Sequence, residues 1–385
     1  MTRTAEVVIV GGGVVGCAVA YNLAGLGMRP LLVERASLAG EASGANQGMV
    51  GLSSGIPGLT LPHLQKSLEL LARDAEEFGQ SVELTRSGRL TMAFTESEWT
   101  YLREYAASRR RAGVDIRLLT GPEARQLEPM LGPAVVGAAH LPGDGHVNPF
   151  LLTQAYADGA RRRGAEILQG EEVTRLEVAR GRLIGVRTRT ESIAAPSVVV
   201  AAGAWSGGLL APLGIRLPIY PGRGQMLVTA AIRRVSRCGL LRAPGIAIRQ
   251  DVRGHVLIGS TLEKVDYDRS VDVRTMAWFA RAAVEMVPAL ASASIVRAWA
   301  GLRPMTPDGR AVIDTVPEVE GLIISAGHGR GGVTTAPVTG WLVGQLLSQG
   351  RTELPLDPFR LARFARAAPG PSTASGREET HAPSS

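Results

Sequence analysis

The chain has few cysteines, few lysines and few aromatic residues, and it has no long apolar run. Two cysteines in 385 residues, Cys17 and Cys238, do not suggest a disulfide framework. No window of eighteen residues is continuously apolar, so no membrane span is predicted. Val7–Val10 is too short and lacks a cleavage site to be a signal sequence, so a cytoplasmic location is expected. The net charge of +7 comes almost wholly from arginine, because Lys66 and Lys264 are the only lysines. The arginines are scattered without interleaved aromatics, so we expect no nucleic-acid partner.

The stretch from Val7 to Glu34 carries the clearest functional signal. Val7–Val10 is an uninterrupted β-branched run, which is typical of a parallel strand buried on both faces. Gly11, Gly13 and Gly16 match the spacing G-x-G-x-x-G, a helical pattern follows, and a second buried strand ends at Glu34. The glycines permit a tight turn and close approach of a pyrophosphate, while the acid accepts ribose hydroxyls. The order of these elements predicts a dinucleotide site, although the motif alone does not choose between FAD and NAD.

The remaining chain shows two kinds of strand pattern. The apolar runs at 197–206 and 321–327 end in small residues and are expected to join the first sheet. Between Leu217 and Ala300, short alternating strands predict an antiparallel sheet with one covered face, and hence a second domain. Helices are predicted where periodicity and capping residues agree, at Leu61–Phe78, Glu96–Arg111, Pro149–Arg163, Val273–Met286 and Thr335–Gln349.

Six motifs occur in an order that resembles a known family. They are the Gly11-Gly13-Gly16 unit, Asp144-Gly145-His146, the segment Val200 to Trp205, the segment Pro221 to Gln225, the segment Gly301 to Gly309, and the segment Gly327 to Gly332. Together they resemble the D-amino acid oxidase superfamily of FAD-dependent oxidoreductases. The similarity is greatest to its glycine oxidase branch and to dehydrogenases of D-hydroxyproline and opines.

The resemblance implies a two-part fold. It implies an α/β FAD-binding Rossmann-like domain with an inserted α+β substrate domain built on an antiparallel sheet. The expected FAD-binding domain comprises residues 1–85, 145–215 and 305–366. The expected substrate domain comprises 86–144 and 216–304. A tail of Pro, Ser, Ala and charged residues at 367–385 is expected to be disordered.

The resemblance also implies the residues that contact FAD. The adenosine half and the flavin linker would be held by Gly11, Gly13, Val14, Val15, Gly16, Glu34, Arg35, Ala42, Ser43, Gln47, Gly48, Met49, Val173 and Gly203. The flavin would lie beside His328, Gly329, Arg330, Gly331, Gly332, Val333 and Thr334. This second segment precedes a helix whose N-terminus can stabilise the charge that develops on a reduced flavin. No metal is expected.

Arg303 is the principal candidate for substrate binding. In relatives, the arginine of the Gly-Leu-Arg-Pro motif grips an amino acid carboxylate with two hydrogen bonds, which suits a rigid planar donor. A surface arginine paired with Asp308 or Asp314 is the alternative. Arg330 matches a position near the same pocket, and a place on the loop surface is equally compatible with its sequence.

The expected chemistry requires little acid–base apparatus. A neutral substrate amine assists transfer of the α-hydrogen as hydride to FAD, so no obligatory base is needed and His146 and His328 are expected to be structural. Some relatives bind FAD through a cysteine just ahead of the final flavin segment, where this chain has none, so non-covalent FAD is expected. Lys264 lies in the region where sarcosine oxidases carry an oxygen-activating lysine, although an exposed loop lysine is the simpler interpretation.

Three functional hypotheses follow. The first is an oxidase of glycine, sarcosine or a small D-amino acid that uses oxygen. The second is a dehydrogenase of D-hydroxyproline, an opine or glycine that passes electrons to a quinone or partner subunit, and the segment from Ser43 to Gly48 resembles that group. The third is a dinucleotide-binding regulator without turnover, against which Arg303 argues. A homo-oligomer is compatible with all three.

Overall fold

The computed structural model describes residues 3–242 and 245–365. The strands are β1 Arg3–Thr4, β2 Val7–Val10, β3 Pro30–Glu34, β4 Met49–Val50, β5 Arg89–Ala93, β6 Arg117–Thr120, β7 Gly137–Leu141, β8 Gly145–His146, β9 Glu166–Gln169, β10 Val173–Ala179, β11 Arg182–Thr188, β12 Ser192–Ala194, β13 Val198–Val200, β14 Tyr220–Thr229, β15 Gly239–Arg242, β16 Ile246–Gln250, β17 Val256–Gly259, β18 Glu263–Lys264, β19 Ile295–Met305, β20 Val312–Thr315 and β21 Leu322–Ala326. The helices are α1 Val14–Gly25, α2 Leu61–Glu77, α3 Glu96–Arg111, α4 Gly121–Leu127, α5 Pro149–Arg162, α6 Ser206–Leu210, α7 Val273–Met286 and α8 Gly332–Gln349.

The core sheet has the strand order β20-β21-β13-β2-β3-β9, and only β20 in this path runs antiparallel to its neighbour among the described residues. Every residue of β2 is buried, as its uninterrupted apolar sequence predicts. Val7 and Ile9 pack towards α1, α5 and α8, whereas Val8 and Val10 pack towards β10, β11 and β12. The sheet is therefore covered on both faces, and the predicted Rossmann-like arrangement is confirmed.

Helices α1 and α8 pack against one another although they lie more than 300 positions apart in the chain. Their contact is close because Gly340 has no side chain. A Cβ at that position would come closer than 3.0 Å to the carbonyl oxygen of Ala18 and to Asn22 Nδ2. Helices α1 and α8 are thus packed together on one face of the core sheet.

The outer sheet has the order β18-β14-β17-β16-β15-β5-β7-β6 with β19 on the free side of β14, as far as the structure describes the chain. Its strands come from residues 89–141 and 220–305. The predicted antiparallel arrangement holds for most neighbours, but β5 and β15 run parallel. These strands are far apart in sequence, so no hairpin turn imposes an antiparallel direction on them. The domain boundaries themselves stay a prediction.

Local signals predicted several elements well and one poorly. The capping box before α3 is formed, with Thr95 Oγ1 accepting from Glu98 N at 3.2 Å and Glu98 Oε2 accepting from Thr95 N at 3.0 Å. α8 begins at Gly332, three residues earlier than expected. Its first turn consists of residues with weak helical preference, so the sequence gives no helical signal there. The long strand β19 was missed as a strand, since Gly301 and Pro304 are rare in strand interiors. The predicted tail at 367–385 lies outside the described residues.

Candidate active site

Several of the predicted cofactor-binding residues lie at the carboxyl ends of four core strands. β2 leads into Gly11, β3 ends at Glu34, β13 precedes Gly203, and β21 precedes His328. In open parallel sheets, ligands bind in the crevice at this edge, where the strand order reverses. The arrangement places the two glycine-rich segments, at 11–16 and 327–332, at the same edge of one sheet.

The first glycine-rich turn is built so that only glycine fits at key positions. Gly11 has φ +115°, and a Cβ there would stand 2.5 Å from the carbonyl oxygen of Ala201. A Cβ at Gly16 would come closer than 3.0 Å to the carbonyl oxygen of Gly11, so helix and turn can meet only without it. Gly13 caps α1, whose first turn carries no acidic side chain. The N-terminus of α1 is therefore electrostatically suited to a phosphate group.

Glu34 is held at the mouth of this turn. Its Oε2 accepts from Gly12 N at 2.7 Å and its Oε1 accepts from Ala36 N at 2.9 Å. A carboxylate has about four acceptor positions, so further positions remain for ribose hydroxyls. Arg35 instead pairs with Glu41 at 2.7 Å and stacks on Trp205 at 3.8 Å, so its charge is already engaged beside the predicted adenosine site.

The segment from Ala42 to Met49 connects the two sheets. Ser43 Oγ accepts from Val14 N at 2.9 Å, which places it at the start of α1. Gln47 Nε2 donates to the carbonyl oxygens of Ala247 and Gly259 in the outer sheet at 2.8 and 3.3 Å. Met49 begins β4, which pairs with β8. The segment therefore follows the boundary between the core sheet and the outer sheet, where a linker of an extended cofactor would pass.

The other predicted contacts lie around the same edge. Val173 is buried with Val10 and Val33, at the ends of their strands. Gly48 and Gly203 have positive φ values of 74° and 54°, which favour glycine. Val15 follows Val14 in the first turn of α1.

The second glycine-rich segment forms the start of α8. Gly329, Arg330 and Gly331 make a short 3₁₀ turn, and Gly332, Val333 and Thr334 begin the helix, whose first turn has no acidic residue. Pro337 lies inside this helix and has no backbone N–H group to donate to the preceding turn. Ser67 from α2 supports the helix at this point, since its hydroxyl donates to Thr334 O at 2.6 Å and accepts from Val338 N at 3.1 Å. The 3₁₀ turn before this uncapped N-terminus contacts β19, the strand that carries Arg303.

Arg303 lies on β19 opposite Gly222 of β14. Its Nη1 donates to Thr261 O at 3.0 Å and its Nη2 donates to Ser260 Oγ at 2.6 Å. The expected pairing with Asp308 or Asp314 is not made: Asp308 contacts Arg310 and Arg363, and Asp314 contacts Arg360. Within the described residues, no carboxylate lies within 4.0 Å of the Arg303 guanidinium.

Arg330 is exposed, and its guanidinium lies close enough to Arg303 to lower the pKa of that residue. Burial, followed by the nearby Arg330 guanidinium, lowers the pKa of Arg303 to about 9, while Glu263 opposes this shift. Arg303 is still a cation at neutral pH. Two guanidinium groups close together favour an anionic ligand. The end of β19 also contacts the 3₁₀ turn, since a Cβ at Gly329 would stand 3.4 Å from Met305 Sδ.

The two histidines are buried and held by hydroxyl groups. His146 contacts Thr85 Oγ1 at 3.0 Å, and burial followed by Arg249 and Arg234 lowers its pKa to about 4. His328 Nε2 contacts Thr339 Oγ1 at 3.1 Å, and burial lowers its pKa to about 4. Both imidazoles are therefore neutral at neutral pH. This electrostatic state agrees with the structural role expected for them.

Lys264 is exposed on β18 and its Nζ lies 5.1 Å from the centre of the Tyr220 ring. It is opposite Gly222 on one side of β14, and Arg303 is opposite the same glycine on the other side. Residues directly opposite in antiparallel strands project from the same face of a sheet. Lys264 and Arg303 thus share the face of the outer sheet that carries the candidate site.

Both cysteines are buried, and burial raises the pKa of each thiol, that of Cys238 to about 12. Neither is presented as a reactive thiolate, so non-covalent cofactor binding stays the prediction. The glycine turn, the acid at the end of β3 and the uncapped start of α8 fit the dinucleotide that the sequence predicts. Within the described residues, no helix is long and apolar enough to cross a membrane, and no cluster of three side chains is arranged to hold a metal ion.

The sequence did not identify Ser260, Gly224 or Ser67 as site residues. Ser260 and Gly224 contact the Arg303 guanidinium, and Ser67 supports the start of α8. The only signal available was the segment from Pro221 to Gln225, whose glycines had no assigned role. Each of these contacts joins residues more than 40 positions apart, or depends on which strands pair.

Comparisons with known proteins agree with this geometry. The family described as DAO, FAD dependent oxidoreductase, matches residues 6–346. A glycine oxidase of Geobacillus kaustophilus is 33% identical over 371 residues, covering 94% of this chain and 98% of that protein. The hydrogen cyanide synthase subunit HcnC of Pseudomonas aeruginosa is 31% identical over 406 residues, covering 94% and 97%.

The fold is shared as well. The crystal structure of glycine oxidase from Geobacillus kaustophilus superposes with a TM-score of 0.90 at 32% identity, and the alignment covers 94% of this chain and 99% of that one. The family match and the sequence relatives extend over nearly the whole chain. The chain therefore belongs to the DAO family of FAD-dependent oxidoreductases, and FAD is its cofactor.

Proposed function

We propose that this enzyme oxidises a small amino acid or secondary amine, such as glycine, sarcosine or a D-amino acid, at the carbon next to the nitrogen. The observation that carries the proposal is that the Arg303 guanidinium, whose pKa is lowered by burial and by Arg330, has no carboxylate within 4.0 Å in the described part of the chain. An amino acid carboxylate supplies the missing anion. The similarity to a glycine oxidase supports the same substrate class.

The protein contributes binding, orientation and electrostatic support. When bound, FAD supplies the acceptor for a hydride from the substrate's α-carbon. Arg303 holds the carboxylate and so fixes the amine and α-carbon relative to the rest of the site. The uncapped start of α8 offers backbone N–H groups to developing negative charge. Because His146 and His328 are neutral and already bonded, the substrate amine itself is proposed to bind neutral and to become an imine, which water hydrolyses to a 2-oxo acid and ammonia or an amine.

The electron acceptor has two candidates. Oxygen is the acceptor if the enzyme acts as an oxidase, and the place of Lys264 on the same sheet face as Arg303 favours this hypothesis. A quinone or partner subunit is the acceptor if the enzyme acts as a dehydrogenase. Similarity to HcnC, which is named as a subunit of hydrogen cyanide synthase, favours the dehydrogenase hypothesis. Stopped-flow reoxidation of the substrate-reduced enzyme separates them. Rapid reoxidation by oxygen that slows in Lys264→Met identifies the oxidase, whereas enzyme that stays reduced until a dye is added identifies the dehydrogenase.

Arg303→Ala tests the proposal directly. We expect this variant to retain FAD while carboxylate substrates bind about 100-fold more weakly, on the scale of a lost buried charge-assisted contact. The measurement is anaerobic bleaching of the flavin with glycine, sarcosine, D-proline, D-hydroxyproline, D-alanine and an opine. Arg281→Ala is the control, because Arg281 is exposed on α7. Loss of FAD with normal substrate affinity contradicts the proposal.

A further inference from the structure

The Arg303 guanidinium is held from two sides, which fixes the donors that remain for a ligand. Nη1 donates to Thr261 O and Nη2 donates to Ser260 Oγ. A guanidinium has five N–H donors, so the Nε–H and one hydrogen on each Nη remain. These three donors are directed by the two contacts rather than free to rotate with a flexible side chain. The geometry around them therefore determines which ligand the arginine accepts.

Ser260 is half-buried between β17 and β18, and its hydroxyl has one contact in the described residues. The oxygen accepts from Arg303 Nη2 at 2.6 Å, so its lone pair faces the cation. The hydroxyl hydrogen must then point away from the guanidinium, and no acceptor for it lies within hydrogen-bond distance among the described residues. The Ser260 O–H thus lies beside the remaining Arg303 donors as an unused donor.

Glu263 lies three residues after Ser260 in the chain, but its carboxylate is already occupied. It accepts from Arg223 at 2.5 Å, from Thr261 Oγ1 at 2.5 Å and from Gln225 Nε2 at 3.0 Å. These bonds fix the backbone at residue 261, whose carbonyl receives Arg303. Glu263 accordingly supports the Arg303 position from behind and leaves the acceptor at Ser260 to come from a ligand.

We infer that Ser260 is a further substrate-binding residue, whose hydroxyl donates to the substrate carboxylate oxygen that Arg303 also binds. The inference rests on the proposed function, because the anion is the carboxylate of the amine substrate. Ser260 adds a neutral donor that recognises the carboxylate. Ser260 and Arg303 together exclude substrates in which an amide replaces the acid, since an amide offers only one oxygen to the three Arg303 donors and Ser260.

The test measures binding without turnover. Glycolate, a carboxylate without an amine, is titrated into the oxidised holoenzyme and followed by the change in flavin absorbance. We expect Ser260→Ala to raise the glycolate Kd about tenfold, as for a hydrogen bond to a charged group, and Ser260→Thr to bind almost as well as the wild type. Ser260→Cys provides a second variant of nearly native size and is expected to bind as weakly as Ser260→Ala. Ser294→Ala, an exposed serine before β19, should leave the Kd unchanged.

Three results would overturn specific steps. An unchanged Kd in both Ser260→Ala and Ser260→Cys shows that the hydroxyl does not bind the ligand. If Ser260→Ala weakens glycolate binding in the wild-type background but has no further effect in an Arg303→Lys background, the serine acts only by positioning the arginine. The inferred contact between the Ser260 hydroxyl and the carboxylate is then wrong. If Arg303→Ala leaves glycolate binding unchanged, the proposed function itself fails, independently of Ser260.

Discussion

The guanidinium of Arg303 on β19 lies on the backbone of Gly224 on the neighbouring strand β14. A Cβ at Gly224 would come closer than 3.0 Å to Nη1, Nη2 and Cζ of the arginine. The two residues are not directly opposite, since Gly224 is paired with Gly301 and Gly222 with Arg303. The arginine therefore folds along its own strand into a space left by a glycine, which turns it towards Ser260 and Thr261 instead of solvent.

Gly224→Ala should displace the guanidinium while leaving the FAD site intact. We expect carboxylate ligands to bind at least tenfold more weakly, because the new methyl group overlaps the position of a charged donor. Glycolate titration and flavin content are the two measurements. Gly208→Ala is the control, since nothing lies within 4 Å of a Cβ at that position. Normal glycolate affinity in Gly224→Ala would mean that Arg303 does not bind the carboxylate in the orientation that it adopts beside Gly224.

Gly340→Ala should destabilise the fold and weaken FAD binding together. The added Cβ would overlap the backbone of Ala18, which cannot move aside without shifting α1 relative to α8. Overpacking of this kind costs about 1–3 kcal/mol, and here it also separates the helices that carry both glycine-rich segments. Thermal unfolding and FAD dissociation measure the two effects. Gly344→Ala is the matched control, because its Cβ would meet only side-chain atoms among the described residues, Leu26 Cδ1 at 3.2 Å and Asn22 Cβ at 3.8 Å. Equal effects from both variants would contradict this explanation.

Ser67→Ala should loosen the start of α8. The change removes the hydroxyl that bonds both Thr334 O and Val338 N, and it leaves these buried backbone groups without their bridge. Leaving a buried backbone group unsatisfied costs about 1–3 kcal/mol. Chemical denaturation measures the loss, and hydrogen exchange at residues 333–338 locates it. Ser348→Ala, on the exposed part of the same helix, should be close to neutral. Unchanged exchange at 333–338 would argue against the bridging role.

The buried His146 should make stability depend on pH in the acid range. Its folded-state pKa is lowered to about 4, whereas the unfolded value is about 6.5, so the unfolded chain binds more protons between these limits. The free energy of unfolding therefore decreases as pH falls from about 6.5 to about 4, with a maximum slope of about 1.4 kcal/mol per pH unit from this group. His146→Gln should reduce that slope in denaturation curves measured between pH 4 and 7. An unchanged slope would show that His146 is not the titrating group.

Local sequence signals predicted the parts of this enzyme that short-range physics controls. The G-x-G-x-x-G turn, the strand before it and the acid at Glu34 depend on steric rules within about 30 residues, and the structure brings them together at one sheet edge. The cap of α3 and the N-cap of α5 were predictable for the same reason, since a capping side chain bonds the backbone three residues away.

Tertiary structure alone decided how the substrate end is assembled. Arg303 could be named from its motif, but its orientation depends on Gly224 and Ser260, which reach it only because β14 lies between β18 and β19. The support of α8 by Ser67 likewise depends on packing between helices α2 and α8, since Ser67 and Val338 are 271 positions apart in the chain. The sequence by itself determined that a dinucleotide binds and where its turn lies, because glycine sterics act locally. Only the tertiary structure determined which donors face the candidate carboxylate, because strand pairing and close packing bring distant residues into contact.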